Sequence, residues 1–183
     1  MRRFAILLLA LVIAAFALAQ DYTPAKGETV MKLTVKDRGD IFVHLYTDKA
    51  PKTTDHIVEL VNKGFYNGLK FHRVDRTPRP FIAVFGDPAT KDKPVDDAAV
   101  GTGGSGHPID YEETGLTHDE GTVSLATQPK NKNSGDSQFF FALDSAKFLD
   151  GKHPVFGKVV AGSGIMQPLQ LGDEVTKVVI LKG

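Results

Sequence analysis

Short apolar runs, separated by turns of glycine, proline and asparagine, follow one another along the chain from Gly64 onward. Runs of about four to eight apolar residues between such turns are typical of β-strands. The predicted strands are 69–74, 81–85, 122–126, 138–143, 155–160 and 175–181. Many short strands at close spacing favour a β-sandwich or a closed barrel.

A hairpin and one helix are predicted before this region. Apolar and polar residues alternate over 31–36, a polar turn fills 37–40, and an apolar strand returns over 41–46. Pro51 suits the first turn of a helix, and apolar residues then recur at helical spacing as far as Gly64.

A second helix is possible near residues 164–171, but Pro168 limits it to about one turn. The chain therefore predicts a mainly β domain of eight strands with one clear helix.

The N-terminal segment has the pattern of a secretory signal peptide. Residues 1–3 are basic, residues 4–18 are apolar, and a small-residue cleavage site ends at Ala19. The apolar run is shorter than the about 20 residues of a membrane span. We expect cleavage after Ala19, a tether over 20–29 and one domain over 30–183; an uncleaved anchor is the alternative.

Composition excludes several classes of function. The 22 basic and 22 acidic residues leave no positive surplus for a phosphate backbone, so we expect no nucleic-acid partner. The chain has no cysteine, which excludes thiol catalysis and cysteine metal sites. We expect a monomer, exported to the periplasm or secreted, without membrane contact after signal cleavage.

Two motifs that suggest ligand sites are weak. The glycine-rich segment 101–106 resembles a phosphate loop, but His107-Pro108 follows it instead of a helix, so flexible backbone lining a groove is favoured. The six histidines include no pair at the spacing of a metal site; His107 and the residues 118–120 could meet in space to bind a metal, but polar residues of surface loops are the favoured interpretation. No serine lies in a Gly-x-Ser-x-Gly elbow.

Two other positions have open interpretations. Alternation over 138–143 puts Gln138 and Phe140 on one face of a strand and the neighbouring phenylalanines on the other. That face is either the floor of a pocket or a strand core, and the residues alone do not decide. Arg73 shares a face with Phe71, as either a salt-bridged edge residue or a functional donor.

Six separated motifs resemble, in order and spacing, the cyclophilins, which are peptidyl-prolyl cis–trans isomerases. The resemblance covers residues 31–181 and implies an eight-stranded antiparallel β-barrel capped by two helices, the second short. The motifs lie at 64–74, 81–88, 101–104, 137–140, 148–153 and 155–157.

The resemblance also implies the site residues. Arg73 would be the guanidinium donor, and Gln138 would bond substrate backbone, as would the main chain at Ala126 and Thr127. No cofactor and no metal are implied, and the partners would be proline-containing segments of unfolded or folding proteins. The proline pocket would be formed by Phe81, Ile82, Phe140 and Leu149, with His153 at its edge, and Phe148 would also belong to the substrate-binding residues.

The chain departs from the cyclophilin pattern at several positions. Phe148 stands where the animal proteins that bind cyclosporin tightly carry tryptophan, so we expect weak cyclosporin binding. The turn 75–80 is about three residues longer than the usual Pro-Gly turn. Val84 replaces a glutamine that helps to orient the arginine, Phe85 replaces a glycine, and Thr127 replaces an asparagine. Arg73 is therefore expected to be less well positioned and catalysis slower.

Two functions follow from the resemblance. The first is an exported bacterial prolyl isomerase that assists protein folding, favoured because the implied site residues occur together. The alternative is a catalytically weak or inactive peptide-binding or chaperone module of the same fold, favoured by Val84. A purely structural barrel is a weaker third possibility.

Overall fold

The computed structural model describes residues 21–183, so the predicted signal peptide lies outside the described residues. This range contains nine strands and two α-helices. No helix within it is long and apolar enough to span a membrane. The elements are β1 (Thr29–Val35), β2 (Gly39–Leu45), α1 (Pro51–Asn62), β3 (Leu69–Lys70), β4 (Arg73–Asp75), β5 (Ile82–Phe85), β6 (Thr122–Leu125), β7 (Phe139–Ala142), β8 (Val155–Ala161), α2 (Ser163–Met166) and β9 (Glu174–Lys182).

The strands form one curled antiparallel sheet in the order β3-β9-β1-β2-β8-β6-β7-β5-β4. This arrangement confirms the mainly β, antiparallel barrel-like fold. The first hairpin is β1 and β2, in regular register from Val30 opposite His44 to Val35 opposite Gly39.

The single strand predicted over 69–74 is wrong, because the structure divides it into β3 and β4. β3 pairs with β9, whereas β4 pairs with β5 at the other end of the sheet order. Between them the Phe71 N–H bonds to the carbonyl of Asp173 at 2.9 Å, and the His72 N–H bonds to that of Val84 at 3.1 Å. The backbone therefore bridges the two ends of the sheet, which explains nine strands instead of eight.

Alternation along β7 assigns its faces as the sequence predicts. Phe139 and Phe141 lie in the main core inside the sheet, while Phe140 belongs to a separate apolar cluster with Ile82 and Val84. Gln138 directly precedes the strand. Phe140 and its cluster thus belong to a surface outside the main core.

Proline residues mark the start of the first helix and the limit of the second. Pro51 is the first residue of α1, whose apolar stripe is buried in the main core. The N-cap residue of α1 makes no side-chain hydrogen bond to the helix. Glu112 from a distant loop takes this role, since it accepts hydrogen bonds from the N–H groups of Lys52 and Thr53, each at 3.1 Å. α2 is a single turn that ends before Pro168.

The segment 21–28 has little regular structure but packs against the barrel. The Tyr22 ring lies 5.7 Å from that of Phe42, and its hydroxyl donates to Glu28 at 2.8 Å. The Gly183 N–H bonds to the Glu28 carbonyl at 3.1 Å. β1 begins at Thr29, the last residue of the predicted tether.

Candidate active site

An open groove of about 600 Å³ crosses the outer surface of the sheet beside β5 and β7. All ten residues that the resemblance implied for the site line this one groove, although they come from widely separated parts of the chain. They are Arg73, Phe81, Ile82, Ala126, Thr127, Gln138, Phe140, Phe148, Leu149 and His153.

The floor of the groove is apolar. β5 and β7 pair with Val84 directly opposite Phe140, and both side chains join Ile82 in the buried cluster. Directly paired residues of an antiparallel sheet project to the same side. The floor is therefore a patch of aliphatic and aromatic carbon, which suits the apolar ring of a proline.

Two aromatic rings stand at the mouth of the groove. The Phe148 ring lies 5.0 Å from that of Phe81, at an interplanar angle of 32°. Phe148 is 57% exposed, which is unusual for a phenylalanine, so it offers apolar surface to a ligand rather than to the core.

Two histidine rings pack on Phe140, and one of them, His153, forms the wall of the groove. His153 meets the Phe140 ring at 89° with centroids 5.3 Å apart, and the buried His118 stacks on Phe140 at 12° and 5.8 Å. Asp150 Oδ1 accepts from both the backbone N–H of His118, at 2.8 Å, and its Nδ1, at 2.7 Å. His118, a weak metal candidate in the sequence, is thus tied to Asp150 and packed behind the pocket.

His153 stays uncharged at neutral pH. Burial, above all, lowers the pKa of His153 to about 4. Its Nδ1 accepts a hydrogen bond from the backbone N–H of Thr127 at 3.2 Å. The wall beside Phe140 is therefore a neutral surface.

Arg73 lies at the edge of the groove on β4, directly opposite Val84. Its Nη2 is 2.6 Å from Oδ2 of Asp75, and its side chain is 59% exposed. Arg73 is therefore an ion-paired edge residue that also lines the groove, and its role as a functional donor remains a prediction.

The lengthened turn before Phe81 leaves the pairing of β4 with β5 regular. The Phe81 N–H bonds to the Asp75 carbonyl at 2.9 Å, which closes the turn. Within the turn, Arg76 donates to the carbonyl of Leu169 at 2.8 Å, and Arg79 pairs with Asp144 at 2.6 Å. The extra residues are thus anchored away from Arg73.

The glycine-rich loop borders the groove as backbone, as the sequence predicts. Asp87 accepts hydrogen bonds from the N–H groups of Gly101 and Gly103, at 2.6 and 2.9 Å. Gln138 donates from Nε2 to the Gly103 carbonyl at 2.7 Å and to Asp87 at 3.3 Å. Gln138 therefore ties the loop to the beginning of β7, and its contact with substrate backbone remains a prediction.

The main chain at Ala126 and Thr127 also borders the groove. The Ala126 N–H bonds to the Gln138 carbonyl at 2.9 Å, and that of Thr127 to His153. Both N–H groups thus already have partners within the chain.

Reasoning from the sequence missed the roles of four residues in this region: Asp75, Asp87 and the paired His118 and Asp150. The sequence analysis placed Asp75 in the turn 75–80, whereas Asp75 is the last residue of β4 and lies on the same face as Arg73. Asp87 precedes Pro88, a pattern typical of a helix N-cap, and it does accept from the Ala89 N–H at 2.8 Å. No local signal indicated that His118 is buried.

Comparison with known proteins gives one consistent result. The family model of cyclophilin type peptidyl-prolyl cis-trans isomerases matches residues 30–182. A probable peptidyl-prolyl cis-trans isomerase of Brucella suis is 39% identical over 94% of this chain and 87% of its own length. Peptidyl-prolyl cis-trans isomerase B of Bacillus subtilis is 36% identical over 79% of this chain and 92% of its own.

Solved structures agree with this fold. A cyclophilin type isomerase of Cryptosporidium parvum superposes with a TM-score of 0.71 at 25% identity, covering 85% of this chain and 99% of its own. The family match spans nearly all the described residues, and the groove lies within it. The chain therefore belongs to the cyclophilin-type peptidyl-prolyl cis–trans isomerases.

Proposed function

We propose that this chain isomerises X–Pro peptide bonds in exported proteins as they fold, and that Arg73 supplies the main catalytic donor. The observation that carries the proposal is that Arg73 and the cluster of Ile82, Val84 and Phe140 share one groove. A charged donor beside an apolar floor suits a prolyl amide, which combines an apolar ring with a polar backbone.

The chemistry needs neither a nucleophile nor a metal. The barrier to rotation, about 18–20 kcal/mol, arises because the amide nitrogen shares its lone pair with the carbonyl. In the twisted transition state the lone pair is localised on nitrogen. A guanidinium that donates to this nitrogen, while the ring is held against Phe140, stabilises the transition state more than the planar ground states.

The groove also suggests how the peptide is held. The proline ring lies on Phe140 between Ile82 and Leu149, with neutral His153 closing one side. Backbone at Ala126 and Thr127 lies along the edge, where an extended peptide passes. A related Cryptosporidium parvum structure, 24% identical, was determined in the presence of the dipeptide Ala-Pro, which agrees with this ligand class.

The exported location rests on the sequence of residues 1–19 alone. A basic start, an apolar run and a small-residue site ending at Ala19 support export with cleavage there. Mass measurement of the N-terminus from the secreting organism tests this directly. A mature protein that begins at Gln20 agrees, and an intact Met1 contradicts cleavage.

Refolding of a proline-limited protein tests the function as a whole. X–Pro isomerisation takes about tens to hundreds of seconds uncatalysed, so an enzyme at substoichiometric concentration shortens the slow refolding phase. We expect acceleration by the wild type and by Arg38→Ala, a matched control whose arginine pairs with Asp173 at 2.7 Å outside the groove. Arg73→Ala should lose most of the acceleration.

The same experiment separates the second candidate, a peptide-binding or chaperone module. Val84 favours it, because the residue opposite Arg73 has no polar group to orient the guanidinium. Such a module binds unfolded chains without changing the isomerisation rate. A slow phase left unchanged or prolonged by the wild type would support that module and contradict the enzyme.

A further inference from the structure

The ion pair between Arg73 and Asp75 has a specific position relative to the groove. The two residues are separated by one along β4, so their side chains project from the same face. Arg73 pairs with Val84 and Asp75 with Ile82, and both partners belong to the apolar floor. The carboxylate thus stands on the groove side of the strand, next to the guanidinium.

Little in its immediate surroundings restricts the conformation of the Arg73 side chain. Arg73 lies on a three-residue strand at the end of the sheet order, its side chain is 59% exposed, and Val84 opposite offers no acceptor. A free arginine side chain samples many rotamers, so holding it in one of them costs conformational entropy. Ordering the guanidinium before the substrate arrives therefore requires a partner other than the residue opposite it.

We propose that Asp75 is a positioning residue, which holds the Arg73 guanidinium at the groove edge ready for the twisted amide. The inference rests on the catalytic role proposed for Arg73. Asp75 contacts Nη2 at 2.6 Å, and a guanidinium has five N–H donors in a planar fork. Pairing through Nη2 leaves the other two nitrogens to donate to a bound peptide.

In the cyclophilin pattern a glutamine at the position of Val84 helps to orient the arginine. Asp75 thereby takes over that role in this chain. The two solutions approach the arginine differently: a residue at position 84 reaches it from across the strand pair, whereas Asp75 reaches it along its own strand. A groove with valine at that position therefore still provides a carboxylate that pairs with the arginine.

A double-mutant cycle tests the proposal, with kcat/KM for an Ala-Pro peptide as the readout. The four proteins are wild type, Asp75→Ala, Arg73→Ala and the double variant. We expect Asp75→Ala to lower kcat/KM about two- to fivefold, the range that an exposed ion pair supports. In the Arg73→Ala background the same substitution should have no effect, because nothing remains to be positioned.

Two further variants separate positioning from general stability. Asp173→Ala is the control, because it breaks another arginine–aspartate pair, the one between Arg38 in the β1–β2 turn and Asp173 before β9. This substitution should leave kcat/KM unchanged. Val84→Gln in the Asp75→Ala protein places an amide oxygen opposite Arg73 and should recover at least half of the lost activity. Thermal unfolding of each variant checks that the fold is retained.

Each outcome decides the question. If Asp75→Ala lowers activity by the same factor with and without Arg73, Asp75 acts on the structure rather than through the arginine. If Asp75→Ala is as active as the wild type, or more active, the pair does not position Arg73. If Arg73→Ala equals the wild type, or the wild type is inactive, the proposed function itself fails, which is a separate and recognisable result.

Discussion

Asp87 accepts a hydrogen bond from the Gly103 N–H at 2.9 Å, and its carboxylate occupies the space where a side chain at position 103 would begin. A Cβ on Gly103 would lie only 2.6 Å from Asp87 Oδ1. Asp87 has no exposed surface, so it cannot move aside into solvent. The glycine is therefore required by the carboxylate that shapes this edge of the groove.

The substitution Gly103→Ala should displace the loop and lower the free energy of unfolding by about 1–3 kcal/mol, as overpacking does. Because Gln138 is bonded to the same loop, peptide affinity should fall as well. Urea unfolding and peptide titration measure both effects. Gly164→Ala is the matched control, since a Cβ there meets nothing within 4 Å; equal losses in both variants would contradict the account.

Stability should depend on pH through His153. Its folded pKa of about 4 lies below the ordinary value of 6.5, so the unfolded chain binds the proton more tightly. The contribution of neutral His153 to the free energy of unfolding is fully present above pH 6.5 and is lost as the pH falls toward 4. Burial also lowers the pKa of His72, which acts in the same direction.

The variant His153→Gln isolates this contribution, because His72 is common to both proteins. Unfolding midpoints measured on both sides of pH 6.5 should decline less steeply on acidification in the variant than in the wild type. Parallel curves would show that His153 is not kept neutral by the fold.

The wild type should bind cyclosporin weakly, and the substitution Phe148→Trp should raise the affinity for cyclosporin. Phe148 stands exposed at the mouth of the groove, and an indole would add an N–H donor at this position. One hydrogen bond of about 1 kcal/mol corresponds to roughly a fivefold gain in affinity. Calorimetry measures it, with Leu171→Trp as a control at an exposed apolar residue. Tight binding by the wild type would refute the prediction.

Local patterns predicted the parts of the fold that depend on local geometry. Alternation over 138–143 assigned Phe139 and Phe140 to opposite faces correctly, because side chains in any strand alternate. The division at Phe71 was not predictable in this way. It depends on which strand each neighbouring residue meets, and those partners, Asp173 and Val84, lie on separate parts of the chain.

Charged residues of the site were harder to interpret for a similar reason. Asp87 looks like an ordinary turn residue, and its burial depends on N–H groups supplied 14 and 16 residues later. Asp75 looks like part of a polar turn until the pairing of β4 with β5 fixes its face. Local sequence indicates such side chains only when the elements that surround them are already placed.

The central claim is that Arg73 lowers the barrier to rotation of a proline held in this groove. It is tested most directly by nuclear magnetic resonance on an Ala-Pro peptide with substoichiometric protein, which reports binding and cis–trans exchange in one sample. We predict that the wild type accelerates exchange. Arg73→Ala should still bind the peptide but accelerate exchange about a hundredfold less, because removing one hydrogen-bond donor to the transition state typically lowers a rate by about that factor. Equal exchange rates with both proteins would contradict the account.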